Sequence, residues 1–258
     1  MNNCGLIVIF SSFAFLVASV TANEISTYKI SRIINGVLLT EEGQVISLHG
    51  LEFPDPAINH VESKQAFDRL RDLVLPNKVK LDTAPFREIG AEVNRYGDLH
   101  GKILDPSGKW VQQELVEKGL VWWSGAANYP TQLRASLVIA ERRAEEARSG
   151  MWQTYHPENA NTLTSLPRFT DFVIAEGRVH NVYSSSKMTY INFGENWKSD
   201  FTAAISSKNK RKFESQGWKL SALIHKLIRI RGSVRWYNGP FMELSFPEQL
   251  DIRPPLNN

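Results

Sequence analysis

The chain has 258 residues, with 30 Lys and Arg against 27 Asp and Glu, a net charge of +3, 42% hydrophobic residues and a single cysteine. That is enough chain for one large domain or two small ones with ordinary cores. Normal apolar content and so small a net charge exclude disorder as a description of the whole, and one thiol excludes a disulfide framework.

The first segment reads as an address. Residues Gly5 to Val20 carry no charge, and Val20-Thr21-Ala22 offers small residues where a signal peptidase needs them. The pattern predicts a signal peptide over 1–22, cleaved after Ala22, and so a periplasmic or secreted protein with no membrane association after cleavage. Two other readings of the segment stand beside it: a membrane anchor, for which 16 residues fall short of the ~20 a span needs, and a buried strand. Cleavage would remove Cys4 and leave a chain without thiols.

Next come short strands, Tyr28 to Leu39 and Gln44 to Leu51, flanking Thr40-Glu41-Glu42-Gly43 as a hairpin. Glu62 to Val74 is a helix with Ala66, Leu70 and Leu73 on one face. Lys78 to Asp82 alternates Val79 and Leu81 inward, and Leu99 to Leu104 is a strand closed by the Asp105-Pro106-Ser107-Gly108 turn. Helices follow at Lys109 to Lys118, stopped by Gly119, and at Thr131 to Ser149, with Leu133, Leu137, Ala140, Ala144 and Ala147 in one stripe. Gln153 to Pro167 is polar and aperiodic, a linker signature. The predicted domains are therefore 23–152 and 168–258, joined by 153–167. Beyond the linker, strands at Phe172 to Val182, Met188 to Phe193 and Phe201 to Ile205 precede a basic helix, Ser207 to Gln216. Two more strands, Ile228 to Trp236 and Phe241 to Phe246, flank an Asn238-Gly239 hairpin turn. Three strands, a helix and two strands suit an OB-type barrel.

Residues Asn94 to Leu99 (NRYGDL), Leu104 to Val111 (LDPSGKWV), Leu115 to Leu120 (LVEKGL), Ala144 to Trp152 (AEEARSGMW) and Gly43 to Asp55 (GQVISLHGLEFPD) resemble the thermonuclease family, the staphylococcal-nuclease-like domains. The resemblance spans about 30–152. It implies a mainly β fold with helices, an N-terminal five-stranded OB-type barrel carrying three helices. Residues 168–255 resemble, less specifically, a second small OB-like barrel. The family hydrolyses phosphodiesters of DNA and RNA with a Ca²⁺ ion, a carboxylate that handles the attacking water, and two arginines that neutralise the pentavalent phosphorane. In-line attack builds charge on non-bridging oxygens, so fixed cations and a divalent ion must already be in place.

Position by position, the resemblance implies a change of chemistry. The two arginine positions are occupied by Ser47 and Asp98, a hydroxyl and an anion, although Tyr96 and Gly97 are kept. The metal-ligating acid and the general base correspond to Glu52 and Asp55, each altered by one methylene in opposite senses. The first-strand carboxylate falls on Ile34-Asn35-Gly36-Val37, where no acid remains. Ca²⁺ takes six to eight oxygens, and only Glu52 and Asp55 offer carboxylates, so the ion is a cofactor only if the family metal site survives. The plainer reading of Glu52 and Asp55 is that they cap and solvate a Pro-rich loop. Asp98 reads equally as a turn residue or as a partner of Arg95, Lys102 or Arg87.

Charge divides the chain: residues 23–152 hold 16 basic and 18 acidic residues, net −2, and residues 153–258 hold 14 and 9, net +5. In the second half Lys208, Lys210, Arg211 and Lys212 form a basic cluster, and Arg229, Arg231 and Arg235 lie opposite Ile228 and Ile230 on a strand. With Tyr190, Trp197, Trp236 and Tyr237 as stacking rings, these are candidates for binding single-stranded nucleic acid; the alternative is an ordinary solvated face. The six histidines show no metal-ligand spacing, and no Gly-rich phosphate loop or nucleophile elbow occurs. The expectation is an exported, catalytically degenerate thermonuclease-like module that binds or scaffolds. The alternatives are a Ca²⁺-dependent phosphodiesterase with an altered site, whose missing cation comes from Arg95, Arg87 or Lys102, and a structural periplasmic interaction protein.

Overall fold

A computed structural model describes residues 25–125, 128–163 and 172–253. The predicted signal segment, with Cys4, and the end of the predicted linker lie outside the described residues. The protein is mainly β with several helices. Its first half runs β1 (Ile25–Tyr28), β2 (Ile30–Ile34), β3 (Val37–Thr40), β4 (Val45–Ser47), β5 (Leu51–Glu52), α1 (His60–Val74), β6 (Val79–Asp82), α2 (Ala84–Arg87), β7 (Lys102–Leu104), α3 (Val111–Glu117), β8 (Trp122–Trp123) and α4 (Thr131–Glu146).

The single strand expected over Tyr28 to Leu39 is in fact two strands, β2 and β3, paired antiparallel. Asn35 and Gly36 sit at φ 45° and 77°, the pair of positive angles a two-residue hairpin turn requires, so this Asn-Gly breaks the run as firmly as the later one. The helix at 62–74 is present with Ala66, Leu70 and Leu73 buried. Val79 and Leu81 point inward from β6. The first core gathers Leu38, Ile46, Leu70, Leu81, Ile103, Leu115 and Trp123, all fully buried.

The second half contains β9 (Glu158–Asn159), β10 (Phe172–Arg178), β11 (Asn181–Ser184), β12 (Met188–Asn192), β13 (Thr202–Ser206), α5 (Ser207–Ser215), β14 (Leu227–Trp236), β15 (Pro240–Leu244) and β16 (Leu250–Ile252). Pairing runs β11-β12-β13-β15-β14-β10-β9, with β16 also on β14. The β13–β15 pair is parallel. Only Val179 and His180 separate β10 from β11, so the path returns to the strand from which it set out. The sheet curls, as an OB-like fold requires. The predicted linker is not a free tether: its Glu158 and Asn159 pair with β10, and Ala160 and Leu163 are buried in the second core.

An ionic seam joins the halves. One face of α4 packs on β14 and β16, and there the apolar stripe gives way to buried Arg134 and Glu141. Glu141 accepts from Arg231 and, through its other oxygen, from the Trp123 backbone N–H at 3.0 Å. Arg229 donates both terminal nitrogens to Glu145 at 2.6 and 2.7 Å and its Nε to Glu176 at 2.9 Å. Arg134 donates to Glu248 at 2.9 Å, and Arg142 to Asp251 at 3.0 Å. Burial would raise the Glu145 carboxyl, but the hydrogen bonds and charge of Arg229 outweigh it and hold the group below the usual carboxylate range. Beside the seam, Trp122, Ala144, Met151, Trp152 and Ile174 form a small apolar cluster.

Candidate functional site

The loop between α2 and β7 docks on β4 through Leu99. The Ser47 N–H donates to Leu99 O at 2.9 Å, and the Leu99 N–H donates to Val45 O at 2.8 Å. Ser47 is thus bonded to Leu99, the chain neighbour of Asp98, although 51 positions separate Ser47 from Asp98 in the sequence. Asp98 is held inside its own turn. Its Oδ2 accepts from Asn94 Nδ2 at 2.8 Å, while Asn94 Oδ1 accepts the N–H groups of Tyr96 and Asp98 at 2.8 and 3.0 Å. Asp98 sits in a turn, as one of its two readings has it, and among the described residues it forms no ion pair with Arg95 or Lys102. Arg95 instead covers the ring of Tyr96, 4.6 Å from its centroid, and reaches its hydroxyl. Lys102 Nζ lies 5.5 Å from the Trp110 ring centroid.

Glu52 is half-buried on β5, opposite Trp122 of β8. Asp55 is exposed, and its Oδ1 accepts the Ala57 N–H at 2.8 Å, a loop cap. Glu41, in the nearby turn, is paired with Lys29 at 2.7 Å. Among the described residues no three His, Cys, Asp or Glu side chains gather to hold a metal ion. Measured against the six to eight oxygens that Ca²⁺ takes, this donor set does not fit the ion.

Two histidines that looked scattered in the sequence meet here. His49, two residues after Ser47, stacks on His100, two residues after Asp98, with ring centroids 4.7 Å apart and planes within 5°. Nδ1 of His100 faces Ala91 O at 3.0 Å and so carries the proton, while Nε2 of His49 is buried without a partner. Burial, and secondarily the neighbouring His100, pushes His49 down to about 4. Burial also lowers His100, against the raising effect of the Ala91 carbonyl. Both rings are neutral at pH 7. The signal that would have found them is that each follows one of the family's two arginine positions, Ser47 or Asp98, by two residues; a search for metal-ligand spacing passes over it.

These loops and strands belong to a recognisable family. Residues 48–154 match the family model described as staphylococcal nuclease homologue. This segment is a staphylococcal nuclease homologue domain. No curated protein matches the chain. The nuclease-homologue match begins one residue after Ser47 and leaves β1 to β4 outside it.

In the second half the six expected nucleic-acid contacts separate. Lys208, Lys210, Arg211 and Lys212 stand on α5, with Lys208, Arg211 and Lys212 exposed. Lys210 approaches Glu214 at 3.7 Å, and Lys212 donates to Ser245 O at 3.4 Å. Arg229 and Arg231 are each only 5% exposed and serve the seam with the nuclease-homologue domain, so neither is placed to meet a ligand. Alternation on β14 suggested an outward face, but α4 covers that face. Among the described residues no helix is long and apolar enough to cross a membrane.

Proposed function

We propose that the chain is an exported, catalytically degenerate relative of the nucleases that binds single-stranded nucleic acid without cutting it. The observation that carries this is the turn that engages Asp98 with Asn94, next to the Ser47–Leu99 hydrogen bond. Where the family resemblance puts two arginines around a phosphate, this chain has the hydroxyl of Ser47 and the carboxylate of Asp98, and the carboxylate is engaged by Asn94. An anion facing the phosphorane adds repulsion where catalysis needs preorganised positive charge. The donor set at Glu52 and Asp55 supports the same reading, as do the positions of Arg95 and Lys102, each laid over a ring. Binding would draw on the cations of α5, the exposed Lys208, Arg211 and Lys212 and the half-buried Lys210.

The same reading has two five-stranded OB barrels, 23–152 with three helices and 168–258, joined by 153–167, and a signal removed after Ala22. The second barrel rests on the circular pairing of β10/β11, β12, β13, β15 and β14. The test is a phosphodiesterase assay on the full secreted chain with single-stranded DNA, with and without Ca²⁺. Turnover at background in both is expected. Turnover abolished by EDTA and by Asp55→Ala would overturn the reading in favour of an altered nuclease, and loss of that turnover in Arg95→Ala would name the substitute cation.

A further inference from the structure

The second half carries a pocket of about 460 Å³ that the nuclease resemblance does not address. Its rings are Tyr183, Tyr190, Trp197, Tyr237 and Phe241. Three of them stand well out of the surface: Tyr183 is 59% exposed, Trp197 57% and Tyr237 58%. Tyr183 and Tyr190 lie nearly parallel, 20° apart with centroids at 6.3 Å, on paired strands β11 and β12. Tyr237 meets Phe241 edge-on at 5.7 Å. Exposing this much aromatic surface costs hydrophobic free energy, and clustering it in one concavity is how ligand sites are built.

The pocket is set by the fold. Loops 193–201 and 237–239 precede the parallel strands β13 and β15 and therefore emerge at the same end of the sheet. Asn238 and Gly239 take φ 52° and 93°, and a side chain on Gly239 would collide with Ser199 O. The two loops are thus pressed together, which sets Trp197 and Tyr237 around one opening.

The polar groups are of one kind. Asn181, Asn192, Asn238 and Thr202 contribute amides and a hydroxyl, and among the described residues no Asp, Glu, Lys or Arg lines the pocket. Positive charge stands at its rim. The Arg235 guanidinium lies 4.8 Å from the Phe241 centroid and 5.8 Å from that of Tyr237, and Lys198 Nζ lies 5.6 Å from that of Trp197. The nearby carboxylate of Asp200 is turned into its own loop, accepting from Asn196 N–H at 2.7 Å and Ser199 Oγ at 3.0 Å. A ligand that fits is uncharged and flat within and anionic outside.

We infer that this pocket receives unpaired bases of a single-stranded nucleic acid, stacked on Trp197, Tyr190 and Tyr237, with the phosphodiester running past Arg235 and Lys198. The inference rests on the nucleic-acid reading above and gives it a place. A neutral glycan would use the same rings and amides but would leave the rim cations without a role. Thr202, which lines the pocket, opens β13, and α5 begins where β13 ends. Five residues of strand span roughly 16 Å, so one short strand of nucleic acid reaches from the rings to the α5 lysines.

The experiment is fluorescence anisotropy of a labelled oligothymidylate with the full chain at low salt, repeated for Trp197→Ala, Tyr237→Ala and a Lys208→Gln, Arg211→Gln double variant. All four positions are exposed, and thermal midpoints serve as the folding control. Each ring variant should bind about tenfold more weakly with its salt dependence unchanged, because base stacking does not involve counterions; the double variant should instead flatten the salt dependence. Unchanged affinity in both ring variants overturns the pocket while leaving nucleic-acid binding in place. Absence of oligothymidylate binding by the unaltered chain overturns both readings. Tighter binding of a neutral cello-oligosaccharide than of oligothymidylate reassigns the rings to a glycan.

Discussion

The nuclease-homologue site loops and the aromatic pocket spend their functional groups in opposite ways. In these loops Asp98 is engaged by Asn94, Asp55 by Ala57 and His100 by Ala91, while Nε2 of His49 is buried without a partner. In the pocket three large rings stay more than half exposed. Family resemblance directs attention to the first region, whereas the unspent surface is in the second. Groups that satisfy one another hold a fold together, whereas exposed, unsatisfied groups are free to meet a ligand.

The contrast can be broken or sharpened at four places. The largest effect is expected at the seam that holds the two regions in one body. Arg231→Ala leaves Glu141 as a buried charge without its partner and should cost about 3–5 kcal/mol in chemical denaturation; a loss under about 1 kcal/mol would mean that Glu141 is solvated and the seam loose. Next is the rate. Each missing arginine removes on the order of 10²–10³ in turnover, so Ser47→Arg alone should leave phosphodiesterase activity at background, and appearance of turnover in that variant would show site loops still equipped for chemistry.

The third concerns the stacked histidines. The His49 imidazole has an ordinary pKa of 6.5 and is pushed to about 4 in the folded chain by burial and then by His100. Between those values the unfolded chain binds a proton that the folded chain refuses. Stability is therefore full above about pH 6.5 and falls as pH drops toward 4, by on the order of 2 kcal/mol for a ring that keeps some contact with water. Denaturation midpoints taken from pH 8 to pH 4 should show this slope, and His49→Asn should flatten it. Smallest is Asp98→Ala, which removes one partly buried hydrogen bond from the Asn94 turn and should cost about 1 kcal/mol. If that variant instead gained affinity for oligothymidylate, the carboxylate would be repelling a strand at the site loops, and the division of labour drawn above would fail.

Much of the fold was legible because its signals are local. The helix face at Ala66, Leu70 and Leu73, the inward Val79 and Leu81, and the Asn238-Gly239 turn all depend on spacing within a few residues. The Asn35-Gly36 turn carries the same signal and was overlooked inside a long apolar run. What escaped depends on partners far away in the chain. Arg229 and Arg231 look solvated by alternation, and only the arrival of α4, more than 80 residues earlier in the chain, turns them inward. Likewise, nothing next to His49 or His100 announces that hydrogen bonds between Ser47 and Leu99 will stack their rings. The pocket was half visible: Tyr190, Trp197 and Tyr237 were candidates, Trp236 does not line it, and Tyr183 and Phe241 enter only through strand pairing and loop packing.

The seam has one more consequence. Cationic side chains in the second half fall into two populations that ionic strength tells apart. Those of Arg229 and Arg231 sit in a water-poor joint, where dissolved ions screen weakly. Those of Lys208, Arg211 and Lys212 lie in open solvent, within reach of every counterion. A brine wash should therefore strip a bound polyanion while the two halves stay clasped, leaving a protein that is emptied but not taken apart.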